Sequence, residues 1–131
     1  MRGLLSRLLG DRGERAAARF LKQRGYRILA KQHRDQFGEI DIIALDKDVI
    51  VFVEVKTRRT ADQGQPFEAV DRRKQQRLTQ LALAWLKRKR RLHQSARFDV
   101  VSVLWPEDQA KPEIQHFISA FEATGKGQFF S

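Results

Sequence analysis

The stretch Val49-Ile50-Val51-Phe52-Val53-Glu54-Val55-Lys56 decides the fold. It is rich in β-branched and aromatic residues and reads as a strand. Alternate residues of a strand point to opposite faces. Val49, Val51, Val53 and Val55 therefore form the expected core face, and Ile50, Phe52, Glu54 and Lys56 form the other. An acid and an amine project together from the end of an apolar strand, a costly placement unless they are paired or used. Just upstream, Glu39–Leu45 reads as a second strand, with Asp46-Lys47-Asp48 as the tight turn between them. Strands joined so briefly are antiparallel neighbours. Pairing about a turn centred on Lys47 sets Asp41 opposite Val53, one residue short of Glu54. A small offset is then needed to bring the two carboxylates together.

Outward from this hairpin, Asp11–Gly25 reads as a helix with Asp11 as its cap and Gly25 as its stop, preceded by an amphipathic lead-in over residues 1–10. Tyr26–Arg34 reads as a strand and Thr57–Pro66 as a functional or mobile loop. From Phe67 to about Arg90 runs a long helix, with Val70, Lys74, Leu78, Leu81, Ala82, Trp85 and Leu86 on one stripe. Arg97–Trp105 is a strand halted by Pro106, and Glu113–Phe121 is a short strand or a strand-to-helix piece. The order predicts an α/β fold, a small central sheet covered by helices. A single domain is expected over residues 1–124, with 125–131 as a loose tail.

Composition bounds the function. The 131 residues carry 26 Lys plus Arg against 16 Asp plus Glu, a net charge of +10, and 41% are hydrophobic. That supports one real core. The absence of Cys excludes disulfides, Cys-ligated zinc, a thiol nucleophile and iron–sulfur clusters. No apolar run approaches the ~20 residues of a membrane helix. Arg7 interrupts the leading leucines and no cleavage site follows, so no signal peptide and a cytoplasmic location are expected. The long helix carries Arg72, Arg73, Lys74 and Arg77 and runs into Lys87–Arg91 with no acid between them. This favours a polyanion, nucleic acid ahead of an anionic membrane or an acidic protein.

Two carboxylates and a lysine suit metal-dependent phosphodiester hydrolysis. Mg²⁺ takes oxygen ligands in near-octahedral geometry. Asp41 and Glu54 could each give one oxygen, and the backbone carbonyl of Val55 a third. Lys56 would orient a water or stabilise developing charge. At this point the residues fit equally a strand-end ion pair of ~0–1 kcal/mol.

Three blocks then carry a resemblance: Gly38-Glu39-Ile40-Asp41-Ile42-Ile43-Ala44, Val51-Phe52-Val53-Glu54-Val55-Lys56-Thr57-Arg58, and Arg97-Phe98-Asp99-Val100-Val101. With Gly13-Glu14, Gly64, Pro66, Val70 and Lys74 they resemble the YraN family of bacterial proteins over nearly the whole chain. That family is similar in turn to restriction-endonuclease-like, PD-(D/E)xK nucleases, especially archaeal Holliday junction resolvases. The resemblance implies an αβββαβ core, a small mixed sheet flanked by helices. It sets Asp41, Glu54 and Lys56 at the motif's acid, acid and lysine, and Glu14 at the extra acid that the resolvases bring to the metal. It departs in two places: Ile40 stands where a Pro often precedes the first acid, and Gln32 where members usually carry Asn.

Without the resemblance, Glu14 is an acid in a helix's first turn, favourable against the macrodipole. Lys74 either snorkels or reaches a phosphate. Glu39 is either a supporting acid beside the metal ligands or an outward charge. Arg58 and Arg59, opening the loop, suit phosphate clamps. Asp99 suits a local polar contact, and Trp85 and Trp105 suit the core. His33, His93 and His116 show no zinc spacing. The expectation is a Mg²⁺- or Mn²⁺-dependent endonuclease on DNA ahead of RNA, branched or single-stranded. A resolvase-like cut requires two active sites and hence a homodimer. The alternatives are a non-catalytic nucleic-acid-binding module and a protein–protein adaptor docking through its basic helix.

Overall fold

The computed structural model describes residues 2–62 and 70–124. Among them lie helix α1 (Arg2–Gln23), strands β1 (Arg27–Asp35), β2 (Gly38–Asp46) and β3 (Val49–Arg58), helix α2 (Arg72–Arg88), and strands β4 (Ala96–Leu104) and β5 (Glu113–Phe121). The expected tail, and Gly64 and Pro66 of the expected loop, lie outside the described residues.

The strands form one sheet in chain order, β1-β2-β3-β4-β5. β3 and β4 are parallel and the remaining neighbours antiparallel. α2 is the crossover that a parallel pair requires. It packs Leu78, Leu81, Ala82, Trp85 and Leu86 against Ile43, Ile50, Phe52 and Phe98. α1 covers the other face, with Ala17, Ala18 and Leu21 against Ile42, Val51, Val53 and Val101. The mixed α/β architecture expected from the sequence is the one observed. One correction concerns β3. Val49, Val51, Val53 and Val55 do not form its only core face, because Ile50 and Phe52 are buried beneath α2 on the other. A central strand covered on both sides reads as a continuous apolar run.

Several boundaries also shift. α1 is one continuous helix from Arg2, so no lead-in ends at Gly10 and Asp11 is not its cap. Glu14 therefore lies well inside the helix rather than in its first turn. The Gly25 stop holds. At φ +92° it lets Tyr26 N–H reach Leu21 O and its own N–H reach Lys22 O, the pattern of a left-handed C-cap. α2 starts at Arg72, where the Asp71 carboxylate caps it by accepting Lys74 N–H at 2.8 Å; the expected start at Phe67 lies outside the described residues. Thr57 and Arg58 belong to β3 rather than to a loop, and pair with Val103 and Leu104. Glu113–Phe121 is a full edge strand.

Gly13 fixes the height of α1 on the sheet. A Cβ there would sit 1.9 Å from Thr57 Oγ1. The helix thus lies in direct contact with the end of β3, and carries Glu14 to that end.

Candidate metal centre

The site grows out of the β2–β3 register. The turn has two central residues, Lys47 and Asp48, and pairs Asp46 with Val49 and Ile42 with Val53. Lys47 takes φ +56°, as tight two-residue hairpins demand. The register is therefore one residue away from the expected one. Carried one step beyond Ile42↔Val53, it sets Asp41 level with Glu54. Across the other neighbour, Lys31↔Ile42 and His33↔Ile40 set Gln32 level with Asp41. Gln32, Asp41 and Glu54 thus occupy one row across three strands.

Side-chain alternation breaks in the same place. Ile40 and Ile43 both face α2, while Ile42 and Ala44 face α1. The β2–β3 ladder ends at Ile42, and the Asp41 carboxylate takes up a β3 amide, accepting Val55 N–H at 2.8 Å. There it meets other acids. Carboxylate oxygens of Glu14, Glu39 and Asp41 lie within 4.8 Å of one another. Burial, then hydrogen bonding and repulsion from Glu54, then Glu14, push the Asp41 carboxyl up to about 10, with Val55 N–H acting against them. The cause is plain physics: one carboxylate of a crowded set holds a proton when no cation is near.

Each neighbouring acid has a partner from a different element. Gln32 Nε2 donates to Glu14 Oε2 at 2.7 Å and to Asp11 Oδ1 at 3.3 Å. Arg34 Nε donates to Glu39 Oε2 at 3.2 Å. Lys74 of α2 forms an ion pair with the buried Glu54. Lys56 lines a cleft of about 290 Å³ with Glu14, Asp41, Val55, Thr57 and the first half of α1.

The sequence-derived ligands thus fall into one neighbourhood: Asp41, Glu54 and Glu14 converge, Glu39 joins them, and Lys56 faces the same cleft. All donors are carboxylate oxygens, which suits a hard divalent cation such as Mg²⁺ or Mn²⁺ and fits neither zinc nor copper preferences. The acidic cluster is chemically able to hold a metal ion.

The cation expectations divide. Arg72, Arg73 and Arg77 are exposed on α2. Lys74 is neither a plain snorkelling lysine nor a free phosphate ligand, because it is ion-paired with Glu54. Arg58 does not open an exposed loop: it is a strand residue with 6% exposure. Arg59 Nη1 donates to the Trp105 carbonyl at 3.0 Å, a contact across to the end of β4 that ties down its guanidinium. Trp85 is in the core, edge-on to Phe52. Trp105 is half-buried, with the Arg12 guanidinium 4.1 Å from its ring centre.

Gln32 is the residue that sequence reasoning passed over as a site member. The available signal was Gln32 standing where the resemblance implies Asn. Its φ of +51°, a conformation that Asn tolerates best among non-glycine residues, is the physical reason an amide side chain suits the position.

With this geometry in view, the comparisons decide the relationship. The model for "Uncharacterised protein family UPF0102" matches residues 13–103. The chain belongs to the UPF0102 family. It is 49% identical over 125 residues to the UPF0102 protein RB9115 of Rhodopirellula baltica, spanning 93% of this chain and 75% of that protein. It is 47% identical over 117 residues to the UPF0102 protein GSU0650 of Geobacter sulfurreducens, spanning 89% and 91%. UPF0102 is the YraN family. The UPF0102 match begins at Gly13-Glu14, where α1 meets β3, and ends in β4, so it takes in Glu14, Gln32, Glu39, Asp41, Glu54, Lys56 and Lys74. The mixed sheet with helices on both faces is consistent with the restriction-endonuclease-like superfamily.

Proposed function

We propose that this chain is a metal-dependent endonuclease hydrolysing phosphodiester bonds in DNA, branched or single-stranded, as one domain over residues 1–124 in the cytoplasm. The observation that carries the reading is the Asp41 row: buried and half-buried carboxylates from α1, β2 and β3 crowd one another beside an open cleft, with a lysine in the same cleft. Structural acids are normally placed beside cations, whereas these are placed beside each other.

Asp41, Glu54 and the carbonyl of Val55 hold the ion, with Glu14 as a further ligand and Glu39 supporting them. Bound there, Mg²⁺ or Mn²⁺ supplies Lewis-acid stabilisation of the charge that develops on the phosphate. Lys56 orients the attacking water and stabilises the developing negative charge. Arg72, Arg73 and Arg77 hold the nucleic-acid backbone, a sequence-independent contact that weakens as salt rises. A homodimer would supply the second cut of a four-way junction. Among the described residues no helix is long and apolar enough to cross a membrane.

The test is cleavage of duplex, single-stranded, flap and four-way-junction DNA, and of RNA, in Mn²⁺, Mg²⁺ or EDTA. Metal-dependent cutting is expected, abolished by Asp41→Ala and by Glu54→Ala, with binding in EDTA retained by both. Equal cutting by both variants and wild type would remove the site assignment. One observation favours a second reading, a nucleic-acid-binding module without catalysis: the Lys74 ammonium already neutralises Glu54. That module would bind the panel, cut none of it, and take up no stoichiometric metal.

A further inference from the structure

We propose that Lys74 couples metal binding to nucleic-acid binding: it holds Glu54 as a counter-ion in the free protein, and a backbone phosphate that takes Lys74 releases Glu54 to the cation. The inference rests on the metal-site reading above and adds its regulation.

Glu54 is buried, at 8% side-chain exposure, so its carboxylate requires a cationic partner. In the free protein that partner is Lys74. The Lys74 side chain is itself 37% exposed, so the cation of this ion pair belongs to a far more open side chain than the carboxylate it pairs with. Lys74 leaves the first turn of α2, among the exposed Arg72, Arg73 and Arg77. The positive end of the helix dipole adds to the same field. A phosphodiester backbone drawn to this end of α2 meets several cations, one of which is tied to the candidate ligand.

The other acids of the cluster are held differently. Asp41 takes a backbone amide, Glu14 takes the neutral Gln32 amide, and Glu39 takes Arg34 of the edge strand β1. Glu54 alone in this set is neutralised from the helix that faces the nucleic acid. A divalent cation and the Lys74 ammonium compete for one carboxylate. Phosphate and carboxylate likewise compete for one ammonium. Exchanging both partners together satisfies every charge, whereas exchanging one strands a buried carboxylate or wastes a cation. Metal and nucleic acid must then tighten each other's binding by the same factor.

The experiment is calorimetric titration of Mn²⁺ into wild type, Lys74→Gln and Lys74→Arg, alone and with a phosphorothioate-protected duplex. In wild type and Lys74→Arg the duplex tightens Mn²⁺ at least ~10-fold, about 1.4 kcal/mol, and Mn²⁺ tightens the duplex equally. Lys74→Gln binds Mn²⁺ without duplex at least ~5-fold tighter than wild type, and the duplex adds less than ~2-fold. Wild-type coupling in Lys74→Gln, or Mn²⁺ binding weaker than wild type, would overturn the proposal. So would absence of coupling in wild type itself, a result that does not depend on the variant folding. Saturable Mn²⁺ binding lost in Asp41→Asn but indifferent to duplex and to Lys74 would overturn the coupling and leave the metal site standing. No saturable Mn²⁺ binding in any state would overturn both.

Discussion

Asp41 and Asp99 invite comparison because their backbones are treated alike. Each sits where a ladder is interrupted: Asp41 beyond the last β2–β3 pair, Asp99 at the register shift between Phe98 and Val100. Each uses its carboxylate to accept an amide of the next strand, Val55 N–H at 2.8 Å for Asp41 and Ser119 N–H at 3.0 Å for Asp99. What surrounds them differs. Asp99 is fully buried and also bonds His116 Nε2 at 2.7 Å and Arg97 Nε at 3.0 Å, while Arg97 reaches on to Tyr26 and Asp46. Burial pushes the Asp99 carboxyl up, but the hydrogen bonds from His116, Arg97 and Ser119 outweigh it and hold it below the usual range. Burial pushes Asp41 up as well, and its acid neighbours push further in the same direction. Asp99 is a charge-balanced piece of structure. Asp41 is not, and on the metal-site reading proposed above a cation completes it.

The largest expected effect follows from the charge-balanced one. Asp99→Ala takes the acceptor from His116, Arg97 and Ser119 N–H at a fully buried position, leaving Arg97 with Asp46 and Tyr26, and should cost about 3 kcal/mol in urea unfolding. Asp41→Asn removes a crowded carboxyl instead, and should leave apo stability equal to wild type or raise it by on the order of 1 kcal/mol. Comparable losses in both variants would erase the distinction.

The pH dependence should have opposite signs. Asp99 has a folded-state pKa below its unfolded value, near 4. Its stabilisation is full above that unfolded value and is lost as pH falls through the lowered one. Asp41 has a folded-state pKa raised to about 10. Its contribution is full below about 4 and is lost as pH rises toward about 10. Metal-free Asp41→Asn should therefore gain on wild type with rising pH across that window, and Asp99→Asn should differ from wild type least in strong acid. Parallel pH–stability curves for wild type and Asp41→Asn would contradict the Asp41 half.

Metal should act on one side only. With duplex present, Mn²⁺ at a hundredfold excess over Kd should contribute about 2.7 kcal/mol, raising the Tm of wild type and Asp99→Asn by several degrees and that of Asp41→Asn little. The smallest effect belongs to Gln32. Gln32→Ala removes the amide that holds Glu14 and should weaken Mn²⁺ binding about tenfold, with Gln32→Asn restoring part of it and neither changing stability by more than about 1 kcal/mol. Unchanged Mn²⁺ affinity in Gln32→Ala would take Glu14 out of the site.

Much of this frame is legible in the chain. The β2–β3 hairpin announces itself through Ile and Val runs around a three-residue turn signal, and the α2 stripe through helical spacing. The acids could be named because hard-cation chemistry asks for oxygen donors and because the motif blocks resemble known ones. Their convergence was not legible. It depends on whether the hairpin has a two-residue or a three-residue turn, a choice of one residue that moves every pair, and on the break in alternation at Asp41. The start of α1 is not legible because Asp11 has the chemistry of a cap, whereas in the fold it accepts a bond from Gln32 of strand β1. Lys74 was visible as an odd charge on an apolar stripe, yet its partner is set by where α2 lies on the sheet. The Asp99 network joins residues from β2, β4, β5 and the turn after α1, and no spacing in the sequence links them.

On the metal-site reading, the crowded acids at Asp41 are held for a cation. Calorimetric titration of Mn²⁺ into the duplex-bound protein at pH 7.5 or so (a window between the two carboxyl extremes), repeated in buffers of different ionisation enthalpy, tests it most directly. Saturable binding that releases a proton, and loses both the heat and the proton in Asp41→Asn, is the predicted result. Identical heats in wild type and Asp41→Asn, or binding with no proton released, would contradict it.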